Sequence, residues 1–368
     1  KQTMSYWVGL VTLTSGLLAA CGGNDSSTDI TNTTTSSGNT TSTTTQLSVE
    51  PANFLSGGLQ GAISTVSCTL SGGTTTSCYK IVTVGAPSDH AVGPFCPSNV
   101  YSDVTNKTLS TDTSTVGMWI ESGKTYALTG QFIGNLATFY GNSKWQLFDS
   151  TTGKVNVTDT QALFEAAAVP NVPLALNKYC VEGKMSYVGG GFSRTILIPV
   201  TPVALSSGTG SISMSGVGVA LNGIVIDALA PVANIKAAYT IAAFDKNGGH
   251  VNPHTGYHYH AATGSSHEVA STDGHSALIG YALDGYGIYA LKDTTGTEPT
   301  ALDTCRGHSD SSRGYHYHAA SAAKICLLVA LKGSKGHQLD DATTTQSSAK
   351  YAAYLPSVLL GEQYSTCS

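Results

Sequence analysis

Imidazoles two residues apart on an extended strand can aim two ring nitrogens at one cation, and this chain carries that arrangement twice. Gly249 to Ala262 reads Gly-His-Val-Asn-Pro-His-Thr-Gly-Tyr-His-Tyr-His-Ala-Ala. Gly307 to Ala320 reads Gly-His-Ser-Asp-Ser-Ser-Arg-Gly-Tyr-His-Tyr-His-Ala-Ala. The two align without a gap, sharing Gly-His, five variable residues, then Gly-Tyr-His-Tyr-His-Ala-Ala. Ten of the 11 histidines lie between His250 and His337, most of them in or beside this pair.

Successive side chains of a strand point to opposite faces. His258 and His260 are therefore expected on one face and Tyr257 and Tyr259 on the other. His316 and His318 stand in the same way against Tyr315 and Tyr317. Neutral imidazole suits copper, zinc, nickel and iron, in tetrahedral or tetragonal sets. The candidate ligands are His258, His260, His316 and His318, followed by His250, His308 and His275. With little carboxylate nearby, copper or zinc is the expected ion. If the two ribbons pair, four imidazoles converge on one shared centre. Beside a turn role, Asp284 can accept from an imidazole N–H or ligate directly; His90 is either a hydrogen-bonded loop residue or part of the site, and the four tyrosines bring apolar rings with polar tips.

Three readings are open at this stage. One is a transition-metal site. The second needs no ion: the histidines hydrogen-bond to backbone and tyrosine, or the tyrosines serve as stacking platforms for a carbohydrate or a surface. The third is a metal-dependent hydrolase or oxidoreductase in which an open position activates water, with Asp284 or a free histidine as base. No Gly-x-Ser-x-Gly, His-Glu-x-x-His or paired-carboxylate pattern supports catalysis. Gly117 to Thr125 has five residues between its glycines where a phosphate-binding loop needs four.

The positioning elements read as β. Charged residues are 11% of the chain, the formal net charge is −5, and Gly, Thr, Ser and Tyr are abundant. No basic patch points to nucleic acid. Lys80 to Val84, Lys124 to Thr129, Lys144 to Phe148, Thr195 to Val203, Val217 to Leu221, Ile224 to Ala228 and Ala277 to Leu283 read as strands between turn signals. Thr160 to Ala168 reads as a helix, with Asp159 as cap and Pro170 as stop. Pro253 and the flanking glycines read Gly249 to Gly256 as a loop. Asp284-Gly285 favours a tight turn. The expected fold is all-β and sandwich-like, with antiparallel sheets, long loops and at most short helices.

On these residues the chain resembles the YHYH-domain family of bacterial secreted or surface proteins. Gly85 to Phe95, Val219 to Ile224 and Gly280 to Tyr289 resemble further segments of that family, in the same order. The resemblance runs from Tyr79 to His337 and implies architecture and site candidates rather than a reaction. Family members often carry a cysteine shortly before the first Gly-His, where Asp245 to Gly249 has none.

Residues 1–21 read as a lipoprotein export signal. An apolar stretch from Tyr6 to Leu18 ends in Leu18-Ala-Ala-Cys21, which resembles a lipobox with Cys21 as the lipidated residue. Gly22 after it resembles outer-membrane sorting, so the expected location is the outer membrane or cell surface, with membrane contact through the lipid alone. Residues 22–47 are a Ser/Thr-rich tether that cannot offset its ordering entropy. Residues 48–78 form an N-terminal extension, 79–337 the domain and 338–368 a C-terminal tail, polar at first and apolar from Tyr351 to Leu360. Seven cysteines remain after Cys21. Cys68 with Cys78, Cys96 with Cys180 and Cys305 with Cys326 are the candidate disulfides, and the odd count leaves at least one cysteine unpaired or paired to another chain.

Overall fold

A computed structural model describes residues 45–102, 109–169, 171–206, 208, 216–228, 232–322, 328, 331–336 and 338–340. The export signal, Cys21, most of the tether, Pro170, Cys326, His337 and Cys367 lie outside the described residues.

Strands β1 (Ser64–Thr69) and β2 (Thr75–Thr83) form a hairpin that the Cys68–Cys78 disulfide staples. A second hairpin, β3 (Met118–Glu121) and β4 (Lys124–Ala127), leads into the short helices α1 (Gly130–Gly134) and α2 (Leu136–Phe139). Helix α3 (Gln161–Ala167) forms where the sequence places it. Its cap is Thr160 rather than Asp159, because the Thr160 hydroxyl accepts from Leu163 N. Lys144 to Phe148 does not form a strand: Phe148 makes only an isolated bridge with Val155, across the turn that Asp149 closes.

Then follow β5 (Cys180–Val181), β6 (Arg194–Pro199), β7 (Gly218–Ala220), β8 (Val225–Ile226), α4 (Val232–Ala237) and β9 (Ile241–Ala242). The histidine region supplies β10 (Gly249–Asn252), β11 (Gly256–Tyr259), β12 (Leu278–Ala282), β13 (Gly287–Tyr289), β14 (Gly307–Asp310) and β15 (Gly314–His318), before β16 (Gln338–Asp340). Gly249 to Asn252 is thus a strand and not part of a loop. The turn is confined to Pro253–Thr255, where Asn252 Oδ1 accepts from His254 N and Thr255 N. Asp310 does the same for Ser312 N and Arg313 N in the second stretch.

The main sheet has the order β10-β11-β8-β7-β12-β13-β15-β14, and a four-stranded sheet has the order β1-β2-β6-β16. Ile81, Ile196 and Ile198 of the smaller sheet share one core with Val219, Val225, Tyr257, Ile288 and Tyr317 of the larger. The fold is all-β, with most strand pairs antiparallel. Two junctions of the main sheet, β8–β11 and β13–β15, are parallel. A second core, around Trp119, Phe132, Leu136, Trp145 and Ile241, is tied in by the Cys96–Cys180 disulfide and by β5–β9 pairing. Cys305 is also disulfide-bonded.

The strand order is palindromic about β7–β12. Each half consists of a tight inner hairpin (β7–β8 or β12–β13) and a histidine hairpin (β10–β11 or β14–β15), joined by a parallel junction. Val219 pairs with Tyr281, flanked by Ala220–Gly280 and Gly218–Ala282. Sequence follows the symmetry: Gly218-Val-Ala-Leu-Asn-Gly223 matches Gly280-Tyr-Ala-Leu-Asp-Gly285. The two glycines permit close strand contact at the centre. A Cβ on Gly218 would lie 2.5 Å from Tyr281 O, and one on Gly280 would lie 2.5 Å from Val219 O.

Candidate metal centres

In each histidine hairpin the register sets two imidazoles directly opposite one another. His250 pairs with His258 across β10–β11, and His308 with His316 across β14–β15. His260 and His318, two residues further on, join the same face. In the first cluster the Nε2 atoms of His250 and His260 each lie 3.0 Å from His258 Nε2. In the second, His308 Nε2 is 3.0 Å from His316 Nε2 and 3.1 Å from His318 Nε2, and His275 Nε2 is 3.1 Å from His316 Nε2. These are the two groups of metal-competent side chains among the described residues.

The other ring nitrogens settle the tautomers. His258 Nδ1 lies 2.9 Å from Gly256 O, and His260 Nδ1 lies 2.6 Å from Ala228 O. His316, His318 and His275 Nδ1 face Gly314 O, Ala290 O and Ser276 O in the same way. A carbonyl oxygen can only accept, so Nδ1 donates and Nε2 of each neutral ring is a bare lone pair. His258 and His260 therefore oppose two lone pairs at 3.0 Å, and His275 and His316 do so at 3.1 Å. Only a cation or a proton relieves that contact.

Burial opposes the proton. Desolvation holds His250 and His258 well below the ordinary imidazole range and brings His260 down to about 4. The same cause lowers His275, and lowers His316 and His318 to about 4 and about 3. Rings kept neutral, with Nδ1 fixed by a carbonyl, match the ligand state of histidine. Metal–nitrogen bonds of about 2.0–2.1 Å bring ligand nitrogens to roughly 3.0–3.4 Å from one another, close to the separations found here.

The expected single centre built from both ribbons is corrected. Four strands, β8, β7, β12 and β13, stand between β11 and β15, so the histidines gather as two separate sets. His258 and His260 join His250, while His316 and His318 join His308 and His275.

The tyrosines occupy the opposite face, as alternation requires, and hold the scaffold rather than the rings. Tyr257 donates to Asp245 and Tyr315 to Asp303; Tyr317 donates to Asp284, and Asn222 donates to Tyr259. Tyr257, Tyr259 and Tyr317 are at most 4% exposed, so they cannot offer stacking platforms to a carbohydrate. Asp284 does not accept from an imidazole of the described residues. It occupies the β12–β13 turn, where its Oδ2 takes Tyr317 O–H and Gly333 N–H. His90 joins Asp89 to the hydroxyl of Tyr257, on the face of β11 away from the clustered rings.

Residues 195–301 match the family model described as YHYH protein. The chain carries a YHYH domain. The matched segment holds the first histidine hairpin, both inner hairpins and His275, while the second hairpin follows it in sequence. No curated protein and no solved structure matches the chain.

Several residues at the YHYH site carry no mark in the tetrapeptide. Asp227 Oδ2 lies 3.6 Å from His258 Nε2, and its Oδ1 is buried without a hydrogen-bond partner. Burial pushes this carboxyl up to about 7. Asp245 and Asp303 each stand five residues before a clustered histidine and close the approach to its hairpin, accepting from Gly249 N and Gly307 N respectively. Gln46 Oε1 accepts from Tyr315 N, which docks the end of the tether beside the second cluster.

Proposed function

We propose that this chain is an exported, lipid-anchored protein that binds transition-metal ions, one in each histidine cluster of its YHYH domain. The observation that carries the reading is the convergence of carbonyl-fixed imidazoles on facing Nε2 lone pairs, made twice, between His258 and His260 of the first hairpin and between His316 of the second and His275. All-imidazole donor sets suit copper or zinc and exclude calcium and magnesium, which take oxygen ligands. The ion would link an edge strand to its neighbour, β10 to β11 and β14 to β15, so that binding stabilises both ends of the main sheet.

Purified protein equilibrated with zinc or copper and then desalted is expected to retain two ions per chain. The double variant His258→Gln, His260→Gln should retain one, and adding His316→Gln and His318→Gln should leave none. Equal metal content in the wild type and the fourfold variant would overturn the reading. The anchoring part has its own test. Cys21→Ser is expected to abolish incorporation of labelled palmitate and to shift the protein from the membrane to the soluble fraction; unchanged labelling would remove the lipoprotein assignment.

A further inference from the structure

The two clusters differ at the positions that would complete the coordination of an ion. The hairpins supply equivalent triads, His250, His258 and His260 against His308, His316 and His318. The second cluster gains a fourth imidazole from the segment before β12. Arg313 of the β14–β15 turn donates to both Asp273 and Asp310, which draws the Asp273–His275 segment onto the hairpin. His275 is packed there against the ring of Tyr289, with centroids 4.9 Å apart.

In the first half the residue equivalent to Tyr289 is Asp227, since Asp227-Ala228 aligns with Tyr289-Ala290 and both alanine carbonyls accept from a clustered histidine. The residue aligned with His275 is Ser213, outside the described residues. Among the described residues the first cluster therefore offers three imidazoles, with a carboxylate beside them that belongs to no ligand group. Asp227 is 6% exposed, and its Oδ1 has no hydrogen-bond partner. A buried acceptor left without a donor is costly. The oxygen facing the triad is Oδ2, 3.6 Å from His258 Nε2, where it can accept from a water or protonated small ligand on an ion held there. His250 is partly buried, as are His275 and His308 of the second cluster, so the number of donors, and not exposure, separates the two sites.

We infer, resting on the metal-binding reading above, that the two sites have different roles. The His275, His308, His316, His318 site is closed and structural. The His250, His258, His260 site keeps one exchangeable position that takes water or a small anion, with Asp227 as the acceptor beside it. Structural four-ligand sites leave no room for an external ligand, whereas three-ligand sites do.

Cobalt(II) loading of the full chain, followed by titration with azide in the visible spectrum, tests this. Two cobalt ions per chain are expected, and azide should shift the bands of one. His250→Gln should abolish the azide response. His275→Gln should raise the azide-responsive ions from one to two, because it opens the second site. No cobalt retained at all would bring down the metal-binding reading itself. Two cobalt ions with neither or both responding in the wild type would overturn the difference between the sites and leave metal binding standing. The wild-type count decides this even if a variant loses its ion.

Discussion

Asp245→Ala is expected to lower the stability of the protein by several kcal/mol and, on the proposed metal-binding reading, to abolish ion uptake at the first histidine cluster while the second still takes one. Asp245 is fully buried and accepts from Tyr257 O–H at 2.7 Å, Asn247 N at 3.0 Å, and Gly93 N and Gly249 N at 3.2 Å. Alanine would strand these donors, each at a cost of about 1–3 kcal/mol, against a typical total stability of about 5–15 kcal/mol. The same contacts fix β10 against β11, so His250 would lose its place opposite His258. Asp303→Ala should cost less, since Asp303 is only partly buried and its accepted bonds come from Tyr315 O–H, Cys305 N and Gly307 N. Thermal unfolding and metal content of the two variants give the comparison. A smaller loss for Asp245→Ala than for Asp303→Ala would contradict it.

The metal-free protein is expected to lose stability as pH falls from about 6.5 to about 4, the window set by the histidine shifts. Six clustered imidazoles have folded pKa values lowered by burial, so below the unfolded value the unfolded chain binds the extra protons. For His260 alone, from 6.5 to about 4, the contribution approaches ~3 kcal/mol at about 1.4 kcal/mol per unit. Five acids work in the other direction. Asp227 and Asp284 are raised to about 7 and about 6, and Asp245, Glu182 and Glu268 are raised too, all by burial, so the folded state binds their protons first. Six groups outweigh five. Urea midpoints measured with chelator at pH 7.5 and pH 5 should fall on acidification. Changing His258, His260, His316 and His318 to Gln leaves two lowered imidazoles, His250 and His275, against the five acids, which should flatten or reverse the slope. A midpoint that rises on acidification in the wild-type protein would show that the acids dominate.

The period of two in Tyr-His-Tyr-His carried real geometric content, because alternation on a strand is a steric necessity. Rings cluster on one face and hydroxyls anchor the other, as that period requires. The β class, helix α3 and the disulfide Cys68–Cys78 were equally legible, whereas Cys96–Cys180, 84 positions apart, had no local signal behind it. The shared centre failed for a reason also written in the chain. The repeated unit is longer than the tetrapeptide stretch and includes Gly218 to Gly223 against Gly280 to Gly285, and Asp245 against Asp303. Each half thus brings its own inner hairpin, which lies between its histidines and the other half. Reading Gly249 to Gly256 as loop hid the pairing of His250 with His258, since Pro253 marks only the turn. Asp227 escaped because its counterpart is Tyr289, so repetition gave no hint of it. His275 was legible as a candidate ligand, but the Arg313–Asp273 contact that places it joins residues 40 positions apart.

The palindromic strand order also fixes how far apart the two sets of rings stand. β11 and β15 are separated by five inter-strand steps, or about 24 Å at roughly 4.8 Å per step. Paired-ion chemistry, in which one substrate oxygen bridges two metals, needs them about 3.5–4 Å apart. No small molecule spans the sheet in that way. Any metal-dependent reaction at either end would therefore be mononuclear, and ions loaded at the two ends would give magnetic and optical signatures that add without coupling.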